Sequence, residues 1–380
     1  MRRFLMIAAV FFTAAFLSAE DLFQIVCVGT AEQLQAAIKA GADVNSWTPY
    51  DWTAKVLASK SKAASALTKA GATRSNRLAD LVTPLMLAAM LDRDSSIISV
   101  LLDSGANVNE RTRIDMTPLM YAARFSRSPQ VISLMIKSGA RINDKSISRE
   151  TALMYAAAWN RNPEIIMELL KAGADLNDRV GKGLSPLIYA VMHGNSPEVV
   201  AALLKAGSRV DETDNFGNTC LFYAASNADQ DLKVVSILLE AGANIDHKSD
   251  DGDTPLHTAA SLAKPELIKL FLKAGGKVNV RNDRGSTPLI NAARSNSDIQ
   301  VLSALLQAGA KVDEPDAEGL TALMWAASRC RNPEIITILL NAGADAKLKS
   351  KSGLTAMEYA EKNPSLRGTK QYTALRQKSL

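Results

Sequence analysis

The sequence predicts an all-α repeat solenoid, in which short helix-turn-helix units stack on copies of themselves. A Thr-Pro-Leu string or a near variant, usually followed by Ala-Ala, recurs ten times at intervals of 33 to 35 residues. A Gly closes nine of these units 21 to 23 residues after the marker. Longer phrases also recur, such as NRNPEIIMELLKAGADLN from Asn160 and CRNPEIITILLNAGADAK from Cys330. Self-similarity at such a period is typical of repeat architectures.

The first helix of a unit begins at the marker. Thr151 is a suitable N-cap, because its hydroxyl can accept from the free amides of the first turn, and most copies place Pro at the first helical position. Leu153, Ala156 and Ala157 then fall on one side of the helix. The paired Ala residues predict that neighbouring first helices approach closely.

The second helix begins and ends with its own signals. Asn162 and Pro163 repeat the start pattern, and Gly173 suits the left-handed conformation that ends a helix. The apolar residues between them recur at helical spacing, at Ile165, Ile166, Leu169 and Leu170. One such pair cannot bury its apolar faces alone, so stacking against neighbouring pairs is expected to form a continuous core.

The recurring strings T-P-L-x-x-A-A, L-L-x-A-G-A-D/N-x-N and G-x-T-P-L resemble ankyrin repeats. The resemblance implies β-turn or hairpin loops between units and a protein-binding role. Two departures stand out. The usual Gly-His between the helices is replaced by longer phrases such as Asn160 to Pro163, and the usual His of T-P-L-H is found only at His257. His257 is interpreted as a structural turn residue.

Four segments are predicted. Residues 1–19 form a signal peptide, residues 20–45 an N-terminal capping half-repeat, residues 46–354 an array of about nine units, and residues 355–380 a C-terminal capping repeat and tail. The first unit of the array would begin at Thr48 and close at Gly71.

The N-terminus indicates export. Two Arg precede a largely apolar run from Phe4 to Leu17, which is followed by small residues and acids, as in a secretory leader with cleavage after Ala19. The run is shorter than the ~20 apolar residues that a membrane span needs. The periplasm is the first expectation, with an extracellular protein or one anchored by an uncleaved leader as alternatives.

The sequence contains none of the common catalytic or nucleotide-binding motifs. It lacks H-E-x-x-H, C-x-x-C, G-x-S-x-G, a phosphate-binding loop and a dinucleotide fingerprint, and its three His lie in different units. The formal charge of +5 falls to about +3 without the leader, too little to indicate nucleic acid. We therefore predict a monomeric, non-enzymatic protein with no cofactor, no metal and no stable membrane insertion, whose partners are one or more proteins.

The predicted binding surface follows from the ankyrin resemblance. It implies that the two residues after each Ala-Ala face a concave groove and that the turns between units form finger tips. These inner pairs are largely apolar or aromatic in the first four units, from Met90 to His193, and largely polar later. The residues expected to bind the partner are three groove anchors and three basic tip residues, namely Phe125, Trp159, His193, Arg113, Arg149 and Arg179. The alternative is that Phe125 and Trp159 merely pack against neighbouring helices.

The tips also differ in charge. The early ones are basic through Arg74, Arg77, Arg111, Arg113, Lys145, Arg149, Arg179 and Lys182, and the middle ones acidic through Glu212, Asp214, Asp246, Asp250, Asp251 and Asp253. Electrostatic fields of opposite sign along one surface would orient a partner. The function expected is an interaction module; the alternatives are an accessory factor that supports or inhibits a periplasmic enzyme, or a secreted host-directed effector.

Overall fold

A computed structural model describes residues 19–48, 81–227, 231–262 and 264–380. The described residues form twenty α-helices and no β-strand, which confirms the all-α repeat fold. The helices belong to two compact units, Met1–Val180 and Gly181–Leu380, and each is described by itself.

The described residues of the first unit contain four helix pairs. Their helices are α1 (Ala19–Val28), α2 (Ala31–Lys39), α3 (Pro84–Met90), α4 (Ser95–Asp103), α5 (Pro118–Phe125), α6 (Pro129–Lys137), α7 (Ala152–Trp159) and α8 (Pro163–Lys171). First helices pack on first helices, in the order α1, α3, α5, α7, and second helices pack on second helices, in the order α2, α4, α6, α8.

The second unit contains six helix pairs in the described residues. Their helices are α9 (Pro186–Met192), α10 (Pro197–Lys205), α11 (Cys220–Ser226), α12 (Leu232–Glu240), α13 (Pro255–Leu262), α14 (Pro265–Lys273), α15 (Pro288–Ser295), α16 (Ile299–Gln307), α17 (Ala322–Arg329), α18 (Glu334–Asn341), α19 (Ala356–Ala360) and α20 (Lys370–Ser379). The first helices again form one stack, from α9 through α19.

The helix boundaries fall where the sequence signals place them. The Thr151 hydroxyl accepts from the amide of Met154, and the Asn162 side chain accepts from the amide of Glu164. Gly173 follows α8 with φ of +93°. The predicted start and stop signals are therefore confirmed at this unit.

The core lies between the stacked pairs. Ala156 and Ala157 are fully buried, which allows α5 and α7 to approach closely. On α8, Ile166 and Leu169 are fully buried, whereas Leu170 is only half-buried. Leu170 therefore belongs to the predicted apolar stripe but is less buried than its other three residues.

The N-terminal segment contains two helices rather than one. In α1, Leu22, Phe23 and Val26 are fully buried against the neighbouring pair. The half-repeat expected over residues 20–45 is therefore a complete helix pair, whose first helix lacks the Thr-Pro-Leu marker by which the other units were found.

This N-terminal pair contacts the α3–α4 pair directly. The Asn45 side chain donates to the carbonyl of Gly105 over 3.1 Å, a contact that Asn109 makes to Gly139 over 2.9 Å in the next unit. The Thr48 amide likewise donates to the carbonyl of Val82 over 3.0 Å. These contacts show that the α1–α2 pair packs on the α3–α4 pair. The remainder of the unit expected to begin at Thr48, including Gly71, Arg74 and Arg77, lies outside the described residues.

Buried asparagines join neighbouring units at the link between the helices. The Asn160 amide group donates to the carbonyls of Ala123 and Ser126 in the preceding unit, over 2.8 and 2.7 Å. Asn363 makes the corresponding pair of bonds to Ala327 and Cys330. The longer link of this sequence thus supplies a polar connection from one unit to the next.

His257 fills a structural position, as expected. Its Nδ1 accepts from the amide of Thr254 over 3.1 Å, and its Nε2 lies 2.9 Å from the carbonyl of Ser286, to which it donates. The ring is fully buried. Burial lowers the pKa of His257 below its ordinary value, because the charged ring would lose its hydration.

This lowered pKa predicts a loss of stability in acid. Neutral His257 contributes stability that is complete above the unfolded-state pKa of ~6.5 and is lost as the pH falls toward the folded-state value, by at most about 1.4 kcal/mol per pH unit. Between pH 7.5 and 5.5, the free energy of unfolding in urea should therefore fall less for His257→Met than for the wild type. Met is the chosen replacement because it fills this slot at Met154 and Met324. Equal drops in both proteins would show that His257 does not titrate in this way.

Candidate functional site

An open groove lies on the first unit at the carboxyl ends of two first helices. It encloses about 570 Å³ and is lined by Arg124 and Phe125 from α5, by Trp159 from α7, and by residues 160–163 of the following link. Arg127 completes its edge. The groove therefore combines two aromatic rings with three arginines, counting Arg161.

The repeat places the two rings side by side. Phe125 is the last residue of α5 and Trp159 the last residue of α7, and these helices are packed against each other. Each helix ends at a residue in extended conformation, Ser126 or Asn160, which turns the chain toward the second helix. The bonds from Asn160 to the preceding unit hold the two ends together.

The guanidinium group of Arg124 lies against both rings. Its central carbon is 5.0 Å from the ring centre of Phe125 and 4.6 Å from that of Trp159, within the range of cation–π attraction. Among the described residues, no carboxylate or carbonyl accepts from this guanidinium group. Its N–H donors therefore remain available to a ligand in the groove.

Tyr155 supports the Trp159 ring from the middle of α7. The two ring centres are 5.4 Å apart, and the Tyr155 hydroxyl donates to a carboxylate oxygen of Glu150 over 2.7 Å. Burial raises the pKa of Tyr155 to about 12, and the bond to Glu150 acts in the same direction. The Tyr155 hydroxyl is therefore protonated at neutral pH and keeps its bond, which fixes the ring under Trp159.

The structure brings together two of the three expected anchors. Trp159 is 36% exposed and Phe125 is half-buried, so both rings are accessible and both also pack on their own helices. His193 is exposed, but it belongs to the second unit, where its ring meets the edge of Tyr189 at 4.7 Å between centres. Of the neighbouring inner positions, Met90 and Ala158 are buried and do not line a surface.

The three expected arginines lie elsewhere in the first unit. Arg113, Arg149 and Arg179 are all exposed in turns. Arg113 and Arg149 precede the N-caps of α5 and α7, whereas the rings lie at the carboxyl ends of the same helices, ~12 Å away along an eight-residue helix. The arginines that do adjoin the rings are Arg124, Arg127 and Arg161, none of which was among the residues expected to bind the partner.

Ion pairs between successive turns reduce the expected charge of the early tips. Arg111 pairs with Asp144 over 2.6 Å, and Lys145 pairs with Asp178 over 2.7 Å. The residues of each pair are 33 positions apart, so each pair links one turn to the next. Arg113 is therefore a more available cation than Arg111 at the same tip.

The middle tips are also less acidic than expected. Glu212 and Asp214 are buried. Asp214 accepts from the hydroxyl of Tyr223 over 2.7 Å and from two backbone amides, and these bonds outweigh burial and lower the pKa of its carboxyl group. The expectation that these two carboxylates form part of a surface field is wrong, because both are buried. The Glu212 carboxylate accepts from the Ser185 hydroxyl of the preceding repeat, and the Asp214 oxygens are used within the turn.

Two apolar side chains at the early tips were missed by the sequence interpretation. Ile147 is 66% exposed and Ile114 is 36% exposed, and the amide of Ile147 donates to the carbonyl of Ile114 over 2.9 Å. Arg149 follows in the same turn with φ of +65°, a left-handed conformation that most later units give to Gly. An exposed apolar edge beside a strained Arg is unusual for a turn with a purely structural role.

The strain at Arg149 gives a testable prediction. Arg149→Gly should raise the free energy of unfolding by about 1 kcal/mol, because the left-handed conformation disfavours a residue with a Cβ atom. Ser148→Gly, an exposed neighbour in the same turn without a positive φ, is the control and should not stabilise. Chemical denaturation measures both variants, and a destabilised Arg149→Gly protein would show that the Arg side chain itself supports the turn.

The described residues give little support for a metal site, a reactive thiol or a membrane-spanning helix. They contain no group of three or more His, Cys, Asp or Glu placed to hold a metal ion. Cys27, Cys220 and Cys330 are buried and are not joined in a disulfide. Burial raises the pKa of Cys27 to about 12 and that of Cys330 to about 11, which keeps both thiols protonated. None of the helices found in this part of the chain has the length and apolar character needed to cross a membrane.

The fold is a helical repeat scaffold, and its first unit carries an open groove lined by aromatic and arginine side chains. A family model described as ankyrin repeats in three copies matches seven overlapping stretches, at residues 57–146, 85–180, 153–249, 187–282, 231–316, 256–350 and 297–368. The chain belongs to the ankyrin repeat family. Proteins of this fold are typically non-enzymatic scaffolds that bind other proteins.

A solved structure supports the same assignment. The chain is similar to the crystal structure of the human ASB11 ankyrin repeat domain, with 28% sequence identity and a TM-score of 0.53. The match covers 60% of this chain and 99% of that domain. The comparison with curated proteins gave no match.

Proposed function

We propose that this chain is an exported protein-binding module, which holds its partner in the groove formed by Arg124, Phe125 and Trp159. The observation that carries the proposal is the position of Arg124, whose unused N–H donors lie between two accessible rings. Exposed aromatic residues and Arg are the side chains that most often supply binding energy at protein interfaces. A groove of this size accommodates an apolar side chain with a neighbouring hydrogen-bond acceptor.

Arg113, Arg149 and Arg179 form the outer part of the proposed contact. They are exposed in the turns of the same unit, where Ile114 and Ile147 add apolar surface. A partner that lies along α5 and α7 would meet the rings at one end and the turns at the other. His193 is proposed as a further contact on the second unit.

Export is supported by the sequence of the leader, with its two Arg, its apolar run and its small residues before Ala19. Cell fractionation tests it directly. We expect the mature chain in the periplasm and an N-terminal residue near Glu20. A chain that retains Met1 in the cytoplasm would contradict export without affecting the groove.

The groove is tested by partner capture with a matched control. Capture from the periplasmic fraction should be lost in an Arg124→Gln, Trp159→Ala double variant. The control is a Lys182→Gln, Phe216→Ala double variant, which removes a similar pair, with the Lys182 ammonium 5.2 Å from an exposed ring, in the second unit. Equal capture by both variants would contradict the proposed site.

Folding of the groove variant can be predicted separately. Trp159→Ala should lower the free energy of unfolding by only about 1 to 2 kcal/mol, less than the ~3 to 5 kcal/mol typical of a fully buried ring, because Trp159 is 36% exposed. Urea denaturation of the single variant gives this value. A loss in the higher range would identify Trp159 as a core residue and would favour the alternative that the rings merely pack.

A further inference from the structure

A second arginine–aromatic cluster lies in the second unit. Trp325 is in the middle of α17, and its ring centre is 5.3 Å from the guanidinium carbon of Arg294 on α15 and 5.2 Å from that of Arg329 at the end of α17. Arg329 is exposed, and Arg294 and Trp325 are half-buried. Two positive groups from neighbouring repeats therefore meet at one ring.

A hydrogen bond to a buried carboxylate fixes the orientation of the Trp325 ring. Its Nε1–H donates to a carboxylate oxygen of Asp316 over 2.7 Å. The other oxygen of Asp316 accepts from the amides of Glu318 and Leu320, both over 2.9 Å, and the residue is buried. The Trp325 ring is thus oriented before any ligand arrives, which reduces the entropy lost on binding.

Neither guanidinium group of the cluster has an anionic partner among the described residues. Arg281 in the same unit, in contrast, pairs with Glu314 over 2.9 Å. The Asp316 carboxylate bonds to Trp325, and its oxygens accept from the Trp325 ring and from amides of the turn. The two guanidinium groups therefore keep N–H donors that suit a carboxylate.

We infer that Arg294, Trp325 and Arg329 form a second docking site, which binds an acidic segment of a protein. The two guanidinium groups donate paired N–H bonds to carboxylates of the segment, and the exposed part of the Trp325 ring contacts its apolar portion. The site lies in the second unit and does not depend on the groove at Trp159. Because an aromatic ring lies between the two guanidinium groups, we expect the site to prefer a carboxylate beside an apolar side chain over a bare anion.

The test uses the full chain labelled with 5-fluorotryptophan, whose four Trp give separate ¹⁹F resonances. Trp159→Phe and Trp325→Phe variants assign two of them. The probe is a short peptide of alternating Glu and Leu, compared with its Gln–Leu counterpart and with inorganic phosphate. We expect the Glu peptide alone to shift the Trp325 resonance, with an affinity that falls as salt is raised.

Substitution of the arginines gives the decisive arm. In the Arg294→Gln, Arg329→Gln variant, the affinity for the Glu peptide, measured from the Trp325 resonance, should fall by about tenfold for each arginine removed. The control, Arg284→Gln with Lys351→Gln, loses the same charge from exposed turns of the same unit and should bind as the wild type does. Melting curves confirm that both variants are folded.

Three results would overturn the inference. These are a Trp325 resonance that does not move, an equal shift with the Gln peptide or with phosphate, and an unchanged affinity in the Arg294→Gln, Arg329→Gln variant. A shift of the Trp159 resonance alone would remove this second site while leaving the groove of the first unit intact.

Discussion

Leu169→Ala should lower the free energy of unfolding by about 2 to 5 kcal/mol, because the truncation removes a fully buried side chain and leaves a cavity between α7 and α8. The repeat makes this position sensitive, since each second helix has one apolar face to share with its own pair and with the next. Urea denaturation followed by circular dichroism measures the loss.

The adjacent residue is the control for this prediction. Leu170 is also a leucine of α8 but is half-buried, so Leu170→Ala should lower the free energy of unfolding by about 1 kcal/mol. The prediction concerns the difference between the two variants. If both lose the same stability, the face of α8 that contacts its neighbours has been assigned incorrectly.

Replacement of Asn160 should be nearly as damaging, although the residue is polar. Asn160→Ala leaves the carbonyls of Ala123 and Ser126 without a donor in a buried place, and we expect a loss of about 2 to 4 kcal/mol. Asn160→Asp is the sharper variant, because it keeps the size of the side chain but places an oxygen against both carbonyls. It should be at least as unstable as the Ala variant.

The comparison for Asn160 is Asn162, two residues along the same link. Asn162 is half-buried, caps α8 and donates to the carbonyl of Arg127 over 2.7 Å. Its replacement by Ala should cost about 1 kcal/mol, the usual value for an N-cap. A stable Asn160→Asp protein would mean that the buried amide does not hold its repeat to the preceding one.

The helices could be predicted because their determinants are local. Helix boundaries depend on residues a few positions away in the chain, such as the cap Thr151, Pro163 and Gly173. The boundaries of each helix can therefore be read from the sequence of its own repeat. The helix α1 was missed for the converse reason. It lacks the marker, and only its contact with α3 shows that it is the first member of a pair.

The groove was predictable only in part. The position after Ala-Ala correctly placed Phe125 and Trp159 together, since neighbouring repeats bring equivalent residues into contact. The same reasoning could not show that Arg124 lies against both rings, because that depends on side-chain conformation. Nor could it separate charged groups that face solvent from those, such as Asp214, whose oxygens are used inside a turn.

The second cluster was missed for a related reason. Trp325 precedes the two positions that were read as the inner surface, and it occupies the slot that holds Tyr155 in an earlier unit. In that slot the ring is held by a bond to the turn, and its exposure depends on the residues of the preceding first helix. A useful sign would have been the Arg four residues after Trp325, which lies on the same helical face.

Photo-crosslinking at position 159 tests the proposed contact surface most directly. Trp159 is replaced by a benzoyl-phenylalanine in the full chain, and the protein is irradiated in the cells that produce it. We predict a covalent adduct with one partner protein at position 159, weakened by Arg124→Gln, and no such adduct when the same group replaces Phe216. The absence of an adduct at position 159, or the same adduct at both positions, would contradict the account.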